Sequence, residues 1–241
     1  MFKYDEKLTY RKKCMLFGWN SDAWYRVLEK TEAFRVLKAQ KGLRILEIGA
    51  GTHSACSLIF SRAAESINIG YWDDTARPHL NALINEYTSN YCDVNCSLIK
   101  TDINDLPGKY DIIIMKSVLG GIFRNCSDTP LAINNCLKYI VTENLNHGGY
   151  LITLDNGEGG LHPISKIFGS RRNNWYFVKT SDFIGYAEQT SFGCLSLFSF
   201  GTRMGEFGRI LDRVTYFMDI FIGKITKVSP TVICTVYRKI Q

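Results

Sequence analysis

Short apolar runs alternating with helix-length segments predict an α/β chain built on a doubly wound, mostly parallel sheet. Five runs, at 43–48, 67–72, 95–99, 110–116 and 149–154, are rich in β-formers, and several are apolar almost without break. Strands covered on both faces need that composition. Helical candidates at about 53–64, 75–89 and 129–145 lie between them, the alternation that builds a parallel sheet with helices on both sides. A turn carrying Gly49 and Gly51 directly follows the first run, where such sheets bind nucleotide-type ligands.

Ahead of the first strand, residues about 5–39 read as two helices. Leu8, Tyr10, Leu16 and Phe17 belong to the first, and a turn follows at Gly18–Asn20. Ser21 can cap the second, in which Trp24, Val27, Leu28, Phe34 and Leu37 recur at helical spacing. The expected organisation is an N-terminal helical cap over 1–40 and a ligand-binding domain over 41–241. Near the end, a strand is expected around 192–200, an amphipathic helix over about 205–225 and a last strand over 231–237.

A chain of 241 residues is long enough for one large domain with a buried core. No uncharged apolar stretch reaches 18 residues, so a spanning helix is not expected. Residues 1–13 are charged and lack the apolar segment of a secretory signal. The eight cysteines follow no framework spacing, and the closest pair, Cys92 and Cys96, has no histidine nearby in sequence. They read as reduced thiols of a cytoplasmic protein, with no metal site. A net charge of +6 permits phosphorylated or nucleic-acid partners without demanding them.

The stretch from Arg44 to Thr52 carries the most chemistry. Gly49, Ala50 and Gly51 let the backbone approach a ligand closely, with a helix expected just after. A dinucleotide turn wants a small third residue where Ser54 stands. Glu47 ends an otherwise apolar strand, where it would repel a pyrophosphate and suit a cationic sulfonium. Its alternative is a carboxylate that caps a loop. Asp73, with Asp74 second, ends the next strand and can hold both ribose hydroxyls; both acids could instead serve the following helix start. Asp102 can accept from an adenine amine while Ile103 packs on the ring, and His53 lines the same turn.

Glu47-x-Gly49-x-Gly51, the acid after the second strand, the 102–107 loop and Tyr110–Ile114 together resemble the ordered motif series of class I S-adenosylmethionine-dependent methyltransferases. The resemblance covers roughly 43–155 and implies a Rossmann-like, seven-stranded sheet with an antiparallel last strand, and S-adenosylmethionine as methyl donor. It departs from the family where a third glycine often stands and His53 is found. The segment after strand four would border methyl transfer, bringing in Lys116 and Ser117, with Lys116 counted among both cofactor and acceptor contacts. The Asn or Asp, Pro-Pro and aromatic run of nucleic-acid amino methyltransferases is absent there, so nucleic acid is not the expected partner.

His162, in the loop after the fifth strand, is the first candidate general base, with Asp155, Glu158 and Lys116 as further candidates for the catalytic site. Arg171 and Arg172 near Trp175 and Tyr176 suit a phosphate or sugar, though an exposed basic loop has the same composition. The expected activity is methylation of a small-molecule hydroxyl, on a sugar or phosphorylated metabolite. An RNA methyltransferase and a noncatalytic nucleotide-cofactor domain are the alternatives. The 205–225 helix is expected to act as core or lid, with peripheral membrane or dimer contact as its other use.

Overall fold

The computed structural model describes residues 9–18, 21–159, 175–185, 187–194 and 230–240, together with 215, 217, 218, 221 and 222. Three helices open the described chain: α1 (Tyr10–Phe17), α2 (Ser21–Glu29) and α3 (Glu32–Ala39). Periodicity alone predicts two, and Thr31 makes the difference. Its backbone is extended, and its hydroxyl accepts the Phe34 N–H at 3.1 Å and donates to Leu28 O at 2.7 Å. A side chain that offers such bonds competes with the helical ladder and caps a new helix.

The strands are β1 (Leu43–Ile48), β2 (Ala64–Tyr71), β3 (Cys96–Lys100), β4 (Tyr110–Lys116), β5 (Leu145–Asn156), β6 (Glu188–Cys194) and β7 (Val232–Arg238). They form one sheet of seven in the order β3-β2-β1-β4-β5-β7-β6. Strands β1 to β5 pair in parallel, whereas β7 runs antiparallel to both β5 and β6. The order reverses between β1 and β4, so a crevice opens beyond their carboxyl ends, the place where open α/β sheets take ligands. Helices α4 (Ala76–Asn90), α5 (Leu119–Ile122) and α6 (Thr129–Tyr139) make the connections.

Two expected elements differ. The helix expected over 53–64 is only a 3-10 turn, Cys56–Phe60, because Ala55 is still extended and β2 already begins at Ala64, which leaves room for little more than one turn. The sixth strand starts at Glu188, where its register with Arg238 of β7 begins, while 195–200 lie outside the described residues. Of the helix expected over 205–225, 215, 217, 218, 221 and 222 are described as helical and the rest lie outside the described residues.

Alternation along the strands splits the core in two. On one face Ile45, Ile112, Ile114, Ile152 and Cys234 pack with Leu16, Phe17, Trp24 and Leu28, so α1 to α3 share a core with the sheet. On the other, Leu46, Ile113, Met115, Leu151 and Ile233 pack with Ile133 and Leu137 of α6. No helix among the described residues is long and apolar enough to cross a membrane.

Trp24 is wholly buried in the first core, whereas Trp72, past the end of β2, is 68% exposed. Trp24→Ala is therefore expected to cost about 3–5 kcal/mol of stability, and Trp72→Ala less than about 0.5 kcal/mol. Urea denaturation midpoints at unchanged slope measure both. Equal losses would mean that α2 is not part of the cooperative core.

Candidate active site at the carboxyl edge

The turn after β1 is held from beneath. Glu47 is buried, and its carboxylate accepts four hydrogen bonds from the 3-10 turn that follows. Oε1 takes the Cys56 N–H at 3.0 Å and the Cys56 thiol at 3.2 Å, while Oε2 takes the Ser57 N–H at 2.9 Å and the Ser57 hydroxyl at 2.6 Å. Burial pushes the Glu47 pKa up, and these four donors pull against it. Burial beside that carboxylate holds the Cys56 thiol protonated. Glu47 thus serves the loop that carries the ligand turn rather than facing the crevice itself.

Above it the backbone turns at Gly49, with φ at 72°. An added Cβ there would stand 2.7 Å from Val118 Cγ2, so glycine is required twice over, by conformation and by contact. Ala50 N–H then donates to Gly70 O at 2.7 Å, tying the turn to β2. Gly51 faces open space, with no atom within 4 Å of where a side chain would begin, and His53 beyond it is exposed. The His53 and His79 rings lie 6.3 Å apart.

Acidic residues line the neighbouring strand ends. Asp73 is exposed and its Oδ1 accepts the Thr75 N–H at 2.9 Å, which starts α4 and lowers the carboxyl pKa. Asp74 pairs with Lys100 at 2.7 Å. Asp102 is exposed and accepts from the Asn104 N–H and side-chain amide at 2.9 and 3.1 Å, closing its loop on itself. Ile103 is mostly buried, packed with Ile48 and Leu106 in the second core.

The β4 and β5 ends bring together Lys116, Ser117 and Asp155. Lys116 is half-buried, with its Nζ 5.6 Å from the centroid of the Trp24 ring. Burial lowers its pKa, and the neighbouring Glu47 and Asp155 carboxyls pull the other way. Ser117 sits at φ 55°, a left-handed conformation rare for a residue with a side chain. Its N–H donates to Leu154 O at 2.7 Å, and Asn156 Nδ2 donates to its hydroxyl at 3.3 Å, so β5 holds the strained turn. Asp155 is 1% exposed, and neither oxygen has a well-formed hydrogen bond. Burial raises its pKa to about 7, opposed by the Thr153 hydroxyl, the N–H groups of Leu119 and Val118 and the Lys116 charge. At that exposure Asp155 lies behind the crevice surface.

Sequence reasoning missed Cys56 and Ser57 as the partners of Glu47, and the docking of Trp175 and Tyr176 on Gly120 and Gly121. Tyr176 N–H donates to Gly120 O at 2.9 Å, and the Trp175 ring packs where a Gly121 side chain would stand, 2.9 Å away. The Gly120-Gly121 pair was the available signal. His162, Arg171 and Arg172 lie outside the described residues. Among the described residues no cluster of three or more His, Cys, Asp or Glu is placed to hold a metal.

No family model matches the sequence, and no curated protein matches it. Solved structures do. The N-methyltransferase NodS of Bradyrhizobium japonicum WM9 is similar with a TM-score of 0.55 at 11% identity, over 90% of this chain and 97% of its own. A protein of Galdieria sulphuraria described as a putative sarcosine dimethylglycine methyltransferase gives 0.53 at 13% identity, over 89% and 86%. The magnesium protoporphyrin IX methyltransferase of Synechocystis PCC 6803, solved with bound SAH, gives 0.50 at 16% identity, over 74% and 75%. At such identities the likeness establishes the fold. This chain has the Rossmann-like fold of the class I methyltransferases, with the antiparallel β7 that the sequence resemblance implies.

The raised Asp155 pKa has a consequence for stability. Between about pH 4 and 7 the folded chain keeps a proton that the unfolded chain has lost, so stability falls as pH rises through that window, by about 4 kcal/mol. Asp155→Asn is expected to remove most of this slope and to raise stability at pH 8. Urea denaturation from pH 4 to 8 checks it, and an unchanged slope in the variant would assign the effect elsewhere.

Proposed function

We propose that this chain is an S-adenosylmethionine-dependent methyltransferase acting on a hydroxyl of a small molecule, a sugar or another metabolite, in the cytoplasm. The observation that carries the reading is the β1 turn at the switch point of a methyltransferase-type sheet, with exposed acids at the next two strand ends. The residues fit the cofactor. Gly51 leaves room for close backbone approach, and the exposed Asp73 uses Oδ1 on the helix start, which leaves Oδ2 for ribose hydroxyls. Asp102 would meet the adenine beside the buried Ile103, and Gly49 and Ala50 shape the backbone beneath it. Asp74 belongs to the ribose side only as a second acid, since Lys100 already pairs with it.

When bound, the cofactor supplies an electrophilic methyl group on a sulfonium. The chain's own contribution is to hold the acceptor in line and exclude water. The helices α1 to α3 pack on the sheet next to the β4 end, where the Trp24 ring lies 5.6 Å from the Lys116 Nζ. His162 is the first candidate to receive the acceptor's proton, whereas Asp155 is enclosed behind the surface and Lys116 is placed to contact the acceptor instead. All eight cysteines are free thiols, which suits a reducing compartment.

Titration calorimetry is expected to detect S-adenosylhomocysteine binding and no comparable binding of NAD. Asp73→Ala should weaken the former by about 1.5–3 kcal/mol through lost charge-assisted hydrogen bonds. Tight NAD binding without any response to S-adenosylhomocysteine would end this reading.

A further inference from the structure

We infer that Lys116 is a specificity residue whose ammonium binds a carboxylate group of the methyl acceptor, beside the Trp24 ring at the carboxyl end of β4. The inference rests on the methyltransferase reading only for the word acceptor. The cation site itself stands on the geometry.

Lys116 is half-buried, and its Nζ makes no hydrogen bond or ion pair among the described residues; it lies over the ring of Trp24, 5.6 Å from the centroid. An ammonium withdrawn from water without acceptors is costly unless a ligand completes its shell. Trp24, wholly buried, offers the cation only the weak attraction of a ring face. That is too little to replace an ammonium's hydration. The two nearby carboxyls do not fill the gap. The four hydrogen bonds that Glu47 accepts all come from Cys56 and Ser57. Asp155 is enclosed behind the surface, and its raised pKa leaves it partly neutral near pH 7.

The charge count selects the anion. One lysine stands here among two buried carboxyls, and no arginine fork accompanies it among the described residues. A phosphate dianion calls for more than one cation, whereas a carboxylate is matched by a single positive charge. Placement selects the source. Lys116 ends the strand beside the switch-point crevice, and β5 holds the adjoining Ser117 turn in its strained conformation.

Ligand-observed NMR with benzoate, acetate and inorganic phosphate, set against benzamide and acetamide, tests this with and without saturating S-adenosylhomocysteine. Benzoate and acetate are expected to bind the wild-type chain about tenfold more tightly than their amides, with or without S-adenosylhomocysteine. Lys116→Met should erase that preference and Lys116→Arg should keep it. Both variants should bind S-adenosylhomocysteine within about threefold of wild type, which also shows that they fold. No carboxylate preference in the wild type, or one that survives in Lys116→Met, overturns the inference. So does stronger binding of phosphate than of carboxylates. If Lys116→Met weakens S-adenosylhomocysteine but not methylthioadenosine, which lacks the amino-acid part, Lys116 serves the cofactor's own carboxylate and the inference falls. Failure of S-adenosylhomocysteine to bind at all would strike the methyltransferase reading instead, and the fragment preference would still decide the cation site.

Discussion

Glu47 is a carboxylate in the core, and the ligand edge of the molecule is arranged around satisfying it. A buried carboxylate without partners would cost several kcal/mol or be forced to protonate. Here two N–H groups, a thiol and a hydroxyl from consecutive residues converge on it. Those donors open the buried Cys56–Phe60 turn, and the carboxylate caps the N–H groups that have no partner within it. That turn fixes where the Gly49–Gly51 backbone lies, and Gly49 lets Val118 close against it from β4. The first and fourth strands are thereby coupled at the point where the strand order reverses.

The crevice has two electrostatic characters. Along β2 and β3 the acids are exposed and already engaged in helix starts and loop turns, where water screens their charge. At β4 and β5 the ionisable groups are withdrawn from water, and burial pushes each towards neutrality: Asp155 upward, Lys116 downward. A polar ligand is suited to the first half and a reacting group to the second, because charge interactions strengthen as water is removed.

The N-terminal helices belong to the same physical unit as the sheet. Leu16, Phe17, Trp24 and Leu28 are as buried as the strand residues they cover. Trp24 spans two roles, filling the core and presenting its ring to the Lys116 ammonium. A side chain held in the core is rigid without separate support, which fixes the position of the group it touches.

The alternation of apolar runs with helical segments already determined the doubly wound sheet, because a strand buried on both faces must be apolar throughout. The requirement for glycine at 49 was legible for the same kind of reason, because a tight turn, with φ at 72° there, restricts residue type locally. The partners of Glu47 were not legible, since Cys56 and Ser57 become its donors only when a nine- or ten-residue separation folds back on itself. Thr31's break in the helix and the early start of β6 likewise depend on particular hydrogen bonds that periodicity does not encode. Whether Lys116 and Asp155 face water, ligand or core was decided by tertiary packing alone. Solvation of a charge depends on what surrounds it in three dimensions, and residues far apart in the chain supply those surroundings.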